Sequence, residues 1–318
     1  MRGSGEGPDS KPLEFPTEGL VGRYFASATP GPGVVALSGS DGGCPLEVGR
    51  RLAAEGMPCL ALRYFRAPGL PRSLVEVPLD YVEQALMWLQ RQPTVVDGQL
   101  GLAGVSKGAE LALLCATHIP QLVGAVVAYA PSAVAFGGIS FAGEGRRHSS
   151  WSYRGEPVPF VPYARGGLRP SISGRGLVLD PIYRAALRDS AAVEKAAIPV
   201  ENTDAPLLLI SGGKDKIWPA SEMAERVVTR LVGRGRSDQV EHLQFPDAGH
   251  SFMPWASQFR SRQLAKAAEA LRLAGVGGAL ALGGTQAANR LAVDQGWSRT
   301  VTFLRENLPS GGGSCEAP

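Results

Sequence analysis

The amino-acid sequence predicts an α/β fold with a mostly parallel central sheet flanked by helices. Short apolar runs of strand length alternate along the chain with amphipathic stretches of helix length, and glycine-rich turns separate them. Alternation of this kind is typical of parallel strands joined by crossover helices. The chain has 318 residues, of which 44% are hydrophobic and 19% charged, so it can bury a sizeable core.

The predicted elements follow one another in a regular order. A strand over 33–38 leads into the glycine-rich turn 39–43 and then a helix over 46–55. Further strands are expected at 57–64, 100–105, 122–129, 206–210 and 240–245, and further helices at 74–91, 107–116, 182–196, 220–231 and 285–308, the last with a break allowed before Trp297. Each strand is thus followed by at least one helix or by an irregular segment.

The chain is expected to form one large domain over residues 20–309. Acids, prolines and glycines dominate residues 1–19, which predicts a flexible N-terminal segment, and residues 310–318 are expected to be a disordered tail. From about residue 136 to 179 the alternation of strands and helices stops, and the sequence becomes rich in Gly, Arg, Ser, Pro and aromatic residues. A long irregular insertion in a compact fold is typical of a functional cap or of a disordered loop, and the aromatic residues here favour a cap.

Composition excludes several functional classes. The 32 Lys and Arg residues nearly balance 29 Asp and Glu, so nucleic acid is not an expected partner. The sequence shows neither a secretory signal nor an apolar run long enough to cross a membrane, which predicts a cytoplasmic protein without a membrane partner. The four cysteines and four histidines are scattered, so we expect no metal site and no disulfide framework. Composition leaves the oligomeric state open.

A candidate nucleophile lies in residues 104–108, which read G-x-S-x-G around Ser106. The pattern alone is weak evidence in a glycine-rich chain, but here it separates an expected strand from an expected helix. That is the context of a nucleophile elbow, in which a sharp turn exposes the serine hydroxyl above the sheet. The alternative is a tight turn with an incidental serine.

Two downstream residues are candidates for the base and its orienting acid. A serine hydroxyl needs a base, and the base needs a carboxylate to orient it. Asp215 follows the expected strand 206–210, and His250 follows the expected strand 240–245. The order Ser, Asp, His, each residue past the carboxyl end of a strand, predicts an α/β-hydrolase fold. Asp247 is the alternative acid.

The tetrahedral intermediate of acyl transfer requires two N–H donors for its oxyanion. The backbone N–H of Lys107, just after the nucleophile, is one candidate. The second is expected from the turn 39–43, with Ser40 favoured and Gly39 or Asp41 as alternatives. Three aromatic residues are candidates for an acyl pocket, although core packing accounts for each of them equally well: Trp151, Tyr153 and Trp218.

Several short motifs in sequence order carry a resemblance to a known family. They are LALRYF at 60–65, GVSKGAE at 104–110, WSYRGEPVP at 151–159, GKDKIW at 213–218, PDAGH at 246–250 and LGG at 282–284. Over about Leu20 to Leu308 the chain resembles the C-terminal catalytic domain of the acyl-CoA thioesterase and bile acid-CoA:amino acid N-acyltransferase family, which is related to dienelactone hydrolases.

The resemblance implies the same catalytic residues, Ser106, Asp215 and His250. It also implies a thioester of coenzyme A or of a related pantetheine carrier as substrate, and no cofactor. Residues 143–150 are expanded relative to the family, so the acyl group is not implied. We therefore expect an acyl thioester hydrolase, with acyl transfer to an amine or alcohol and carboxylester hydrolysis as alternatives. A binding protein without catalysis would require a broken triad, and all three residues are present.

Overall fold

Eight strands form a mostly parallel sheet in this computed structural model, which describes residues 10–14, 18–140, 144–163, 171–173, 176–251 and 280–310. The strands are β1 Ser10–Leu13, β2 Val21–Phe25, β3 Val34–Leu37, β4 Cys59–Arg63, β5 Leu100–Val105, β6 Val123–Tyr129, β7 Leu207–Gly212 and β8 Val240–Phe245. Their order across the sheet is β1-β2-β4-β3-β5-β6-β7-β8, in which the strands from β4 to β8 run parallel to one another, whereas β2 is antiparallel to both β1 and β4. The predicted parallel sheet is confirmed.

Helices connect the parallel strands and cover the sheet. In the described residues they are α1 Leu46–Ala54, α2 Leu79–Gln90, α3 Lys107–His118, α4 Asp180–Ala186, α5 Ser190–Lys195, α6 Ala220–Val232 and α7 Gln286–Asn307. Every residue of β3, β5 and β7 is buried, as expected for strands covered on both faces. No helix within these described ranges is long and apolar enough to cross a membrane.

The strand order creates a crevice at the carboxyl edge of the sheet. From β3 the chain crosses to β4 on one side and then returns to β5 on the other side, so the loops after β3 and β5 diverge from adjacent strands. Such a switch point is where open α/β sheets bind their ligands. The glycine-rich turn 39–43 and the elbow at Ser106 both lie at this position.

Three predicted helices have different bounds in the structure. The helix expected over 74–91 begins only at Leu79, because Val77 and Pro78 form a short strand. The single helix expected over 182–196 is instead α4 and α5, and the Asp189 side chain caps the second by accepting from the Ala192 N–H at 3.0 Å. The last helix has no break before Trp297.

The sheet begins with two antiparallel strands that the sequence did not indicate. We expected a flexible segment over residues 1–19, but Ser10–Leu13 form β1 at the edge of the sheet, paired with β2. Of its four residues only Leu13 is buried, so the segment carries no alternation that periodicity could detect. The predicted tail lies outside the described residues apart from Ser310.

The insertion predicted over 136–179 contains short strands that tie it to the body of the fold. Trp151–Tyr153 pairs with Val77–Pro78 and with Glu156–Pro157 in a small sheet, and Ser171–Ser173 pairs with Gly176–Val178. The Leu74–Ile139 bridge adds a further link to the loop after β4. Described parts of the insertion are therefore bonded to the segment between β4 and α2.

Candidate active site

Ser106 occupies a sharp turn between β5 and α3. Its backbone has φ 57° and ψ −121°, a strained conformation for a residue with a side chain. The Ser106 N–H donates to the Tyr129 carbonyl at 2.8 Å, which fixes the turn to β6. A Cβ at Gly104 would lie 2.2 Å from the Gly108 carbonyl oxygen, and one at Gly108 would lie 2.2 Å from that of Ser38. The two glycines are therefore required for this turn, which has the form of a nucleophile elbow.

Asp215 and His250 form a buried hydrogen-bonded pair. The distance between His250 Nδ1 and Asp215 Oδ2 is 2.6 Å, and the two side chains are 1% and 2% exposed. The other carboxylate oxygen, Oδ1, accepts from the Ile217 N–H at 2.8 Å and the Trp218 N–H at 3.2 Å. Because an ionised carboxylate can only accept, the imidazole proton lies on Nδ1. His250 Nε2 is then the nitrogen that can take a proton.

Residues 282–289, called the return segment below, hold the His250 loop in place. The His250 N–H donates to the Leu282 carbonyl at 2.7 Å, and the Gly249 N–H donates to Asn289 Oδ1 at 2.7 Å. Asn289 Nδ2 in turn donates to the Gly283 carbonyl at 3.2 Å. Gly283 also bridges to Asp215, so one short segment supports both members of the pair.

The structure brings Asp215 and His250 together and places Ser106 at the same edge of the sheet. The three residues follow β5, β7 and β8, whose carboxyl ends share that edge. Within the described residues, Ser106 Oγ makes no hydrogen bond to His250. In ligand-free sites the contact between nucleophile and base is often long and closes only with substrate. The alternative acid, Asp247, is exposed; its carboxylate has no hydrogen bond to any residue that the structure describes, and its backbone carbonyl accepts from the Thr285 N–H at 3.2 Å.

The glycine-rich turn 39–43 lies directly beside the elbow. A Cβ at Gly39 would lie 3.4 Å from Ser106 Cβ and 3.8 Å from Oγ, so the backbone of the turn approaches the nucleophile closely. The buried Tyr64 hydroxyl donates to the Ser38 carbonyl at 2.6 Å and lies 3.2 Å from that of Gly39. This position suits a second oxyanion donor, and the choice of the Ser40 N–H stays a prediction.

Asp41, in the same turn, has a perturbed acidity. Burial raises its pKa to about 6, although backbone N–H groups and the charges of Arg66 and Arg63 act in the opposite direction. Its Oδ2 atom is buried without a hydrogen-bond partner in the described residues. The turn beside the elbow therefore holds a carboxyl group that ionises near neutral pH.

The three aromatic candidates lie in different places. Trp218 is 1% exposed, and its ring meets His250 edge-on with centroids 6.3 Å apart. Trp151 lies beside the elbow but is fully buried, and its indole N–H donates to Glu110 at 2.6 Å.

Tyr153 is a correction to the predicted acyl pocket, because it lies at the far end of α3. Its hydroxyl donates to the His118 carbonyl at 3.2 Å, and its ring packs against the His118 ring. About 18 Å of helix separates His118 from Ser106. The short strand that carries Trp151 runs along α3 away from the elbow, so only its first residue reaches the site.

A buried ion pair behind the elbow was missed as a functional feature. The Lys107 and Glu110 side chains are 1% and 0% exposed, with Nζ and Oε1 2.6 Å apart. Burial raises the pKa of Glu110 and lowers that of Lys107, while the opposite charge of each partner opposes the shift. The available signal was two opposite charges three residues apart in an otherwise apolar helix. The described residues contain no cluster of side chains suited to a metal ion.

Comparisons with known proteins give matches over most of the chain. The family described as BAAT / Acyl-CoA thioester hydrolase C terminal matches residues 77–310. Among curated relatives, mouse "Acyl-coenzyme A thioesterase 2, mitochondrial" is 28% identical over 296 residues, covering 92% of this chain and 60% of the relative. Rat "Acyl-coenzyme A amino acid N-acyltransferase 2" is 28% identical over 285 residues, covering 89% of this chain and 62% of the relative. The chain thus spans about three fifths of the length of these relatives.

Solved structures show the same fold at low sequence identity. An acylaminoacyl peptidase from Pyrococcus horikoshii superposes with a TM-score of 0.54 at 14% identity, covering 97% of this chain and 42% of the peptidase chain. At this identity the likeness shows the fold alone, which is the α/β-hydrolase fold predicted from the order of Ser106, Asp215 and His250.

Proposed function

Because the chain belongs to the BAAT / acyl-CoA thioester hydrolase C-terminal family, we propose that it is an acyl thioester hydrolase with Ser106 as nucleophile. Asp215 and His250 complete the triad as orienting acid and base. The substrate is a thioester of coenzyme A or of a related pantetheine carrier, in keeping with the thioesterases and the acyl-CoA N-acyltransferase among its relatives. The cytoplasmic location stays a prediction.

The first half of the reaction forms an acyl-enzyme. Ser106 Oγ attacks the thioester carbonyl carbon while His250 Nε2 takes the hydroxyl proton, and Asp215 stabilises the resulting imidazolium. The negative charge on the former carbonyl oxygen is bound by the Lys107 N–H and by an N–H of the turn 39–43. The C–S bond then breaks, and the sulfur leaves as a free thiol with the proton from His250.

The second half releases the acid. A water molecule gives a proton to His250 Nε2 and attacks the carbonyl carbon of acyl-Ser106. The C–O bond to Ser106 breaks, the serine oxygen takes the proton back, and a free carboxylic acid leaves. The protein needs no cofactor for either half, since all proton transfers pass through His250.

The observation that carries this proposal is the buried Asp215–His250 pair at the same sheet edge as the strained Ser106 turn. Both oxygens of Asp215 are occupied, one by His250 and one by backbone N–H groups, so the carboxylate is fixed in direction. A surface aspartate or a loop histidine with no catalytic role would not need this burial. Fixed orientation of the base is what triad chemistry requires.

The experiment is to follow thiol release and protein mass together. Wild-type protein is mixed with a panel of acyl-CoA esters, and intact-mass spectrometry looks for an acyl adduct while a thiol reagent reports product. Ser106→Ala is expected to lose both signals. Ser221→Ala removes a half-buried hydroxyl in the first turn of α6 and serves as the matched control. Full thiol release by Ser106→Ala would overturn the mechanism.

Acyl transfer is a second candidate, favoured by the rat N-acyltransferase among the relatives. In that reaction an amine attacks acyl-Ser106 in place of water, and the rest of the triad chemistry is unchanged. Adding amines to the thioester assay and measuring amide against free acid separates the two reactions. An unchanged yield of free acid would count against transfer, and turnover of oxygen esters alone would indicate a carboxylesterase.

A further inference from the structure

One oxygen of the Glu110 carboxylate accepts hydrogen bonds from three residues that are far apart in sequence or belong to different segments. Oε1 accepts from Lys107 Nζ at 2.6 Å, from the Trp151 indole N–H at 2.6 Å and from the Phe136 backbone N–H at 3.0 Å. Lys107 belongs to the elbow helix, whereas Phe136 and Trp151 belong to the insertion. The carboxylate is completely buried, so water does not compete for these bonds.

Glu110 is also bound into the turn that follows the nucleophile. Its N–H donates to the Ser106 carbonyl at 3.1 Å, and the Ala109 N–H donates to the same oxygen at 3.0 Å. Lys107, whose backbone N–H is the expected oxyanion donor, sends its side chain back to Glu110 within this single turn. The direction of that N–H is therefore coupled to the position of the Glu110 side chain.

Aromatic rings connect Phe136, whose N–H is bonded to this carboxylate, with the base His250. The Phe136 ring lies 5.9 Å from the Trp218 ring, and the Trp218 ring lies 6.3 Å from the His250 ring. The Lys107 ammonium faces the Trp151 ring at 5.3 Å and the Phe136 ring at 6.0 Å, so the charge adds to the same packing. The buried Lys107–Glu110 pair thus contacts both the elbow and the insertion, whose Phe136 ring packs against Trp218 beside His250.

We propose that Glu110 is a positioning residue, whose carboxylate oxygen holds the Lys107 N–H and the insertion in the arrangement needed for attack by Ser106, and that Lys107 serves to neutralise its charge. A buried charge without its partner is strongly destabilising, and a neutral group of similar shape can replace a buried pair at little cost. The positioning role therefore requires an acceptor oxygen at residue 110, and the ion pair itself is the means of burying it.

Two double variants separate the acceptor from the charge. Lys107→Met with Glu110→Gln removes both charges but keeps an oxygen that accepts from Phe136 and Trp151. Lys107→Met with Glu110→Leu removes the charges and the acceptor at similar volume. Both retain the Lys107 backbone N–H. The matched control is Glu47→Gln, which breaks the exposed Arg50–Glu47 pair, also three residues apart on a helix.

The readout is the second-order rate constant for labelling Ser106 with a fluorophosphonate, measured alongside the melting temperature. The inference rests on the proposed serine mechanism, but this probe requires no thioester. Wild-type labelling without any thioester turnover would refute only the proposed substrate, and absent Ser106 labelling would refute the proposed nucleophile.

We expect the Gln double variant to label at least tenfold faster than the Leu double variant. Trp151→Phe, which removes one donor, should lower the labelling rate about threefold to tenfold and provides the test if a double variant fails to fold. Equal labelling by both folded double variants would overturn the inference, as would Trp151→Phe labelling at the wild-type rate. In a folded enzyme a merely structural role would change the melting temperature without separating the two double variants in labelling rate.

Discussion

Replacing Asp215 with asparagine is expected to lower kcat for thioester hydrolysis by about 10³- to 10⁴-fold while leaving the fold intact. Asparagine has the same shape as aspartate, and its carbonyl oxygen can still accept from the Ile217 and Trp218 N–H groups. Its amide nitrogen must then face His250 Nδ1, where Oδ2 stood at 2.6 Å. Because an amide nitrogen donates, Nδ1 becomes an acceptor and the proton moves to Nε2.

The size of this effect follows from the loss of the base. A protonated Nε2 cannot take the Ser106 proton, and the imidazolium of the transition state loses its carboxylate. The expected loss corresponds to about 4 to 5.5 kcal/mol of transition-state stabilisation, at 1.36 kcal/mol per tenfold. KM should change little, since Asp215 is buried behind His250 and is 2% exposed.

The assay is thiol release under saturating acyl-CoA, with the acyl-enzyme burst measured separately. Asp247→Asn is the matched control, because it alters an exposed acid three residues from His250. The reasoning would be refuted if Asp215→Asn kept kcat within tenfold of the wild type, or if Asp247→Asn lost as much. A comparable melting temperature for both variants excludes unfolding as the cause.

Three further predictions concern stability. Gly283→Ala should lower the melting temperature and thioester turnover together, because φ at this position is +81° and a Cβ would lie 1.9 Å from the Lys214 carbonyl oxygen. The control for calorimetry is Gly56→Ala, because Gly56 has φ +83° but no atom within 4 Å of an added Cβ. The difference between the two variants separates the steric clash from the backbone strain. Burial raises the pKa of Asp41 from its ordinary 3.8 to about 6 in the folded protein, so its stabilising contribution is present below pH 4 and is lost as the pH rises through 6. The free energy of unfolding of Asp41→Asn, taken relative to that of the wild type, should therefore rise over that range by up to about 3 kcal/mol. Denaturant titration at a series of pH values measures this difference. Burial lowers the pKa of His242, so its contribution to the free energy of unfolding is present above pH 6.5 and is lost as the pH falls. His242→Gln should therefore make the free energy of unfolding depend less on pH below 6.5, and an unchanged slope would contradict this role of His242.

Local sequence patterns predicted the central elements because these residues are buried in regular ways. The run 100–105 matches β5 residue for residue, and all of its residues are buried. The edge strand β8 was also predicted residue for residue, because turn residues bound the run 240–245 on both sides. The strand β1, at the edge of the sheet, and the strand β2, between β1 and β4, were missed because both bury few side chains. Of the five residues of β2, three are half-buried and only Tyr24 and Phe25 are buried.

The candidate site was predictable where each residue follows a strand. Ser106, Asp215 and His250 could be proposed as candidates because parallel strands end at a common edge, so the position of each residue after its strand places it at that edge. Tyr153 was misplaced because its position depends on the path of an irregular insertion, and composition does not give that path. Trp151 lies only two residues away and reaches Glu110 instead.

The site consists of two parts that are anchored separately. The elbow is held by its backbone hydrogen bond to β6 and by the buried Lys107–Glu110 pair in the first turn of α3. Asp215 and His250 are held by each other and by the return segment near Asn289. The strand β6, to which the elbow is bonded, pairs with β7 ahead of Asp215, and aromatic rings add a second connection from Phe136 to Trp218 to His250. Ring contacts resist compression but fix direction less firmly than buried hydrogen bonds do. The sheet therefore fixes the edge at which both parts meet, whereas the rings between them set the approach of Ser106 to His250 less firmly than a hydrogen bond would.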